Sequence, residues 1–184
     1  MNINSINTSK LNIENGSLNQ SSSSFICNLN YNDKTPDFTI DMSIEKKDVN
    51  TVRFGFIDNK SYKTVINLEN YIVNQVSINS KKIIGTELSK NSLLNMLSSV
   101  IKLSDDLSHP PVLEFNDVDL DLDYQVGDLV KLSIYLKSIE FHKQYYRLNI
   151  ILNNVLEKIN HVQEHYKNLD YLSEEDEILL LQNI

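Results

Sequence analysis

Four cations and four rings collect in one stretch late in the chain. Lys131, Lys137, Lys143 and Arg147 are interleaved with Tyr135, Phe141, Tyr145 and Tyr146, and Glu140 is the lone acid between them. Cations that track a phosphate backbone, set among rings that stack on unpaired bases, are the chemistry of single-stranded nucleic-acid binding. The same residues have a plainer use, with the rings covering a barrel mouth and the lysines solubilising an edge. Other constellations are weaker. Asp117, Asp119, Asp121 and Asp123 alternate with Val118, Leu120 and Leu122. They lack the turn glycine and distal Glu of a calcium loop, so a solvated acidic strand face is expected. His161 and His165 share a helix face at i, i+4, but Val162, Gln163 and Glu164 between them do not make the His-Glu-x-x-His pattern. The other histidines, His109 and His142, stand apart. No Gly-x-Ser-x-Gly elbow and no glycine-rich phosphate loop occurs, and no nucleophile, base and orienter set can be assembled. The residues therefore predict a nonenzymatic protein with no cofactor and no metal.

The composition sets limits on these readings. The 184 residues carry a formal charge of −8, so bulk charge does not attract nucleic acid and any such binding rests on a local basic face. Cys27 is the single cysteine, which excludes an internal disulfide and a thiolate cluster. No apolar run approaches the roughly 20 residues that span a bilayer. The first residues lack a signal-peptide pattern, and a soluble intracellular protein is expected.

Residues 1–24 are rich in Asn and Ser and poor in apolar side chains, which predicts a disordered tail. A short strand is expected at Phe25–Leu29. Phe38, Ile40, Met42 and Ile44 then alternate with Thr39, Asp41 and Ser43, and Val52, Phe54 and Phe56 alternate around Arg53 and Gly55. These are two half-buried strands, with Gly55 marking a bulge or tight bend. Asp58-Asn59-Lys60 reads as a hairpin turn into a third strand at Tyr62–Leu68, with further strand at Tyr71–Ile78. Leu93, Met96, Leu97, Val100 and Ile101 have helical spacing behind an N-cap at Ser89, predicting a helix of about four turns.

A Gly127-Asp128 turn leads into Val130, Leu132, Ile134 and Leu136, which alternate with Lys131, Ser133 and Lys137. Tyr146, Leu148, Ile150 and Leu152 form a second alternating set, so the two make a long antiparallel hairpin. After it Val155, Ile159, Val162, Tyr166 and Leu169 recur at helical spacing, and Asn160 and Gln163 fit a capping box. Glu174-Glu175-Asp176-Glu177 and the apolar Ile178-Leu179-Leu180-Leu181 follow, and this last run needs cover. Three strands, a helix, two strands and a final helix predict a mainly β (α+β) chain. Its expected form is a five-stranded OB-type Greek-key barrel with one inserted helix and a C-terminal helix. The expected organisation is a tail over 1–24, a barrel over 25–159 and a partner-binding helix and tail over 160–184.

From Gly127-Asp128-Leu129-Val130-Lys131-Leu132 through Tyr146-Arg147-Leu148-Asn149-Ile150 to Val155-Leu156-Glu157-Lys158-Ile159-Asn160, the last third of the chain resembles the end of the OB domain in the RPA middle subunit and the telomeric Stn1 family. The resemblance implies a nuclear subunit of a single-stranded DNA-binding complex, of RPA-like or telomere-capping type. Lys131, Lys137, Lys143 and Arg147 would then touch phosphates, and Tyr135, Phe141 and Tyr145 would stack on bases. The stripe Val155, Ile159, Val162, Tyr166 and Leu169 would hold a second OB-fold subunit. The alternative is a structural or protein-interaction module with no nucleic-acid role, using the same helix and edge strands.

Overall fold

The computed structural model describes residues 1–21, 23–103, 110–118, 120 and 123–159. In chain order the strands are β1 (Leu11–Ile13), β2 (Ser17–Asn19), β3 (Ser24–Tyr31), β4 (Asp37–Lys47) and β5 (Thr51–Phe56), then β6 (Ile101–Lys102), β7 (Val112–Asn116), β8 (Leu129–Phe141) and β9 (Tyr146–Lys158). Between β5 and β6 lie α1 (Asn59–Ile84) and α2 (Lys90–Met96). The strands form one antiparallel, mainly β sheet. Within it β8, β4, β5 and β7 stand side by side, and β9 lies beyond β8. Numbering β4, β5, β7 and β8 from one to four, their spatial order is 4-1-2-3, the Greek-key order.

β8 organises the sheet. Val130, Leu132, Ile134, Leu136, Ile139 and Phe141 enter the core, while Lys131, Tyr135 and Lys137 stay partly or fully exposed. Period-2 patterning thus works as read. β9 pairs with β8 along its whole length, from Val130↔Lys158 to Phe141↔Tyr146. The other edge of β8 is shared: Ser43 to Asp37 of β4 pair with Leu129 to Tyr135, and Asn28 to Phe25 of β3 pair with Ser138 to Phe141. The ribbon is entered where expected. Gly127 takes a left-handed φ of 92°, its N–H donates to Ile44 O at 2.8 Å, and the Asp128 carboxylate accepts from Gln125 N–H at 2.8 Å.

The expected third strand is a helix. Asp58 is an N-cap whose carboxylate accepts from Ser61 N–H at 2.7 Å, not the start of a hairpin. From there Tyr62, Val65, Ile66, Glu69, Ile72, Val73, Val76, Ser80 and Ile83 are buried along one stripe of α1. The helix stops at Gly85, in the left-handed region at φ 78°. The β-branched residues that suggest strands over Tyr62–Leu68 and Tyr71–Ile78 sit on a 3.6-residue stripe, and burial of that stripe overrides local propensity. The inserted helix therefore follows the second strand of the Greek key, not the third. The helix expected after Ser89 is shorter than expected. Ser89 caps it, accepting from Ser92 N–H at 3.1 Å, but α2 ends at Met96, and Ile101 lies in β6. No described helix is long and apolar enough to cross a membrane.

Residues 1–24, where disorder is expected, carry two 3-10 turns (Ile3–Ser5 and Thr8–Lys10) with β1 and β2. Met1 O accepts from Thr39 N–H at 2.7 Å, which occupies a part of the β4 edge that β5 does not reach. Asn4 Nδ2 donates to Ser61 Oγ at 2.9 Å, and Tyr71 on α1 donates to Leu11 O at 3.3 Å. The few apolar residues here are enough because Ile3 and Leu11 are both fully buried. Val155 lies in β9 and Ile159 directly follows it, so the helical stripe expected from Val155 begins in a strand. Val162, Tyr166 and Leu169 lie outside the described residues, as does the rest of the 160–184 segment.

Gly55 marks a bulge, but the extra residue is on the neighbouring strand. Ser43↔Gly55 and Ile44↔Phe54 pair normally, then Lys46↔Arg53, which leaves Glu45 unpaired in the ladder. The Glu45 side chain bonds Ser43 Oγ and lies over Gly55. A Cβ at position 55 would meet Glu45 Oε1 at 2.7 Å and Pro110 Cγ at 2.8 Å. Gly55→Ala is therefore expected to destabilise the fold by about 1–3 kcal/mol, read as a lower urea midpoint at unchanged slope. An unchanged midpoint would mean that Glu45 and Pro110 move aside freely.

Candidate binding groove at the sheet seam

The two ends of the sheet approach each other. Leu97, just past α2, forms an isolated parallel bridge with Tyr146 at the start of β9, and Ser98 N–H donates to Tyr146 O at 2.8 Å. Beyond that bridge the ends diverge. Among the described residues β9 pairs only with β8, so its outer edge after Tyr146 is open. It faces β6 and β7 across a groove of about 980 Å³. Half-buried Ile150, Leu152 and Val155 on one side and Val100 and Val118 on the other line this groove, with Phe115 beneath.

One buried carboxylate ties the seam at its closed end. Glu69 sits on the apolar stripe of α1 and accepts from Val100 N–H and Ser99 Oγ–H, both at 2.8 Å. Burial pushes its carboxyl up to about 6; the two hydrogen bonds and the Lys102 charge pull it the other way. The Tyr146 hydroxyl is buried with no hydrogen-bond partner among the described residues, and burial followed by the charge of Glu69 raises its pKa. Phe141 stacks on the Tyr146 ring at 5.1 Å between centroids. Nothing in α1 read as strands would single out Glu69; on the helical stripe it is the one acid among apolar positions.

The structure separates the residues expected to bind nucleic acid. Lys131 is ion-paired with Glu157 across the ribbon. Arg147 Nη2 lies 3.2 Å from Glu140 Oε2. Phe141 is buried in the core and cannot stack on a base. Tyr135 is half-buried on the outward face of β8. The exposed remainder is Lys137, Lys143 and Tyr145, the last 40% exposed and stacked on His142 at 4.5 Å. Neither lysine has an ion pair among the described residues. Lys137 is the extra residue of a bulge between Leu136 and Ser138, and Lys143 and Tyr145 lie in the bend that His142 N–H closes onto Tyr145 O at 2.8 Å.

The acidic alternation expected over Asp117 to Asp123 lies only partly within the described residues. β7 ends at Asn116, and Asp117 turns the chain at φ 57° with its N–H on Asn50 O at 2.6 Å. Asp119 and Asp121 lie outside the described residues, as do His109, His161 and His165. The loop is held by the Lys47 ammonium, which donates to Leu120 O at 3.2 Å and Tyr124 O at 3.4 Å. No cluster of His, Cys, Asp and Glu suited to a metal ion occurs among the described residues. Cys27 is fully buried, and burial pushes its thiol up to about 12, which leaves it a packing group.

Glu69 binds its proton more tightly folded than unfolded. Its contribution to stability is therefore fully present below about pH 4.5, is lost as pH rises through about 6 and is level above that. The difference is on the order of 2 kcal/mol. Glu69→Gln is expected to remove this slope, so that thermal midpoints of variant and parent diverge between pH 5 and 7, with the variant relatively more stable at pH 7. Parallel midpoints over that range would show that Glu69 is not the buried titrating group.

No family model, no curated protein and no solved structure matches the chain.

Proposed function

We propose that the chain is a nonenzymatic protein-interaction module that takes an extended segment of protein into the seam groove by strand addition. The observation behind this reading is the open outer edge of β9 facing β6 and β7. An edge strand presents a row of backbone donors and acceptors that a second chain satisfies, and alternate side chains of the incoming strand fill flanking pockets. The apolar lining suits such side chains. Its charged residues, Lys102 and Arg147 against Glu114 and Asp117, give no cationic track for phosphates. The 4-1-2-3 strand order with β9 beyond β8 supports an OB-type Greek key, opened at the seam and carrying α1 after its second strand.

A second reading follows the resemblance to the RPA middle subunit and Stn1: a nuclear subunit of a single-stranded DNA-binding complex. Its support is the exposed set Lys137, Lys143 and Tyr145 on the ribbon and at its bend. The second OB-fold partner in that reading would dock on the segment after β9.

The two readings separate in one pair of titrations of the isotope-labelled full chain. A blocked octapeptide of alternating Val and Thr, at millimolar concentration, is expected to shift the amides of residues 147–155 and of β7. Oligothymidine at low salt is expected to leave the ribbon tip unshifted. Salt-sensitive oligothymidine binding that disappears in Lys137→Glu/Lys143→Glu would favour the DNA reading. Absence of any peptide-induced shift along β9, in the parent and in Leu179→Asp/Leu180→Asp alike, would remove the strand-addition reading.

A further inference from the structure

We infer that the seam groove is occupied by the chain's own segment around Ile178–Leu181, which an external strand must displace; this rests on the reading of the seam as a strand receptor. The described chain ends at Ile159, one residue past β9, whose open edge forms one wall of the groove. Whatever follows is thus tethered at the rim. From Arg147 to Val155 that wall is about 30 Å long, and residues 160–184 extended reach roughly 80 Å. The segment can leave β9, turn back and lie along its edge with length to spare.

The chemistry of the segment fits the groove. Ile178-Leu179-Leu180-Leu181 supplies apolar side chains at alternate positions to meet the lining of Ile150, Leu152, Val100 and Val118. It follows Glu174-Glu175-Asp176-Glu177 and precedes Gln182 and Asn183, so the apolar portion is short and bounded by polar residues. A second copy joined through its own β9 would bring β8 and the rest of its sheet up against the facing β6 and β7, whereas the tethered segment brings a single strand. Tethering supplies an effective concentration on the order of millimolar, so the chain's own strand outcompetes a free peptide of equal intrinsic affinity. Binding of a partner is then a strand exchange.

The test uses the full chain and the variant Leu179→Asp/Leu180→Asp, whose substitutions lie outside the described core. The probe is a synthetic peptide with the sequence of residues 174–184. The expected result is binding at residues 147–155 at least about tenfold tighter in the variant than in the parent. In the unmodified chain, hydrogen exchange is expected to be slow both along the outer edge of β9 and over 178–181. Equal peptide affinity for both proteins would overturn the self-occupied seam while leaving strand addition intact. Failure to bind either protein would overturn both. A parent that elutes as a dimer, and a variant that elutes as a monomer, would place a second copy's segment in the groove and overturn the inference as stated. Fast exchange along β9 in the unmodified parent would do the same without recourse to a variant.

Discussion

Pairing on both edges of β8 is the constraint from which the rest of the architecture follows. A strand with neighbours on either side cannot slip by one residue without moving Leu132, Ile134 and Leu136 from the core to solvent. The two edges are not equivalent. Along β4 the register is regular, whereas along β9 it shifts three times, with Leu156, Asn153 and Lys137 as the extra residues. Each bulge increases the local twist. Regular pairing on one side and repeated bulging on the other carries β9 around toward β7, so the sheet curls and its ends meet at Tyr146. The seam is thus a product of bulges in one hairpin, and the alignment at its closed end is completed by the Glu69 carboxylate reaching from α1 to the chain at Ser99 and Val100.

Legibility in the sequence followed the range of the interactions. The alternating sets of β4, β5, β8 and β9 were readable because their period is local and each strand has one dominant core face. The Gly127 turn and the Ser89 cap were readable for the same reason. Helix α1 was not, because Tyr62 to Leu68 contains enough β-branched residues to mimic a strand; only the stripe that continues to Ile83 identifies it. The 1–24 segment was obscured by composition, since two buried apolar side chains, Ile3 and Leu11, accompany the packing of the first turn on α1 and β4 and the pairing of β1 with β3. At the ribbon, residue types were correct and their availability was not. Glu157 and Glu140, which pair with Lys131 and Arg147, come from the opposite strand, and a linear reading places neither beside its cation.

The same pairing explains how an acidic chain maintains a cation-bearing ribbon. The cations near the middle of the sheet are held by carboxylates across the hairpin: Lys158 also lies 2.7 Å from Asp128, which holds that carboxyl below its ordinary range. Such partly exposed pairs contribute little to stability. Their effect is to leave local positive potential only where the ribbon bends, at Lys143, and at the bulge residue Lys137. The groove, by contrast, is defined by shape and open backbone, with Lys102 and Arg147 set against Glu114 and Asp117.

β8 also has a temporal consequence. Its partner β4 is made long before it: Ser133 Oγ donates to Asp37 Oδ1 at 2.9 Å across 96 positions of sequence. While the chain is being synthesised, β4 and β5 can form their hairpin, and α1 can coil, but the edge of β4 that belongs to β8 has no occupant until the final third has emerged. Closing so long a loop is slow, and the exposed apolar edge is prone to mispairing in the interval. The molecule therefore completes its sheet only after most of it exists, and the nascent chain, more than the finished fold, is the species exposed to aggregation and to chaperones.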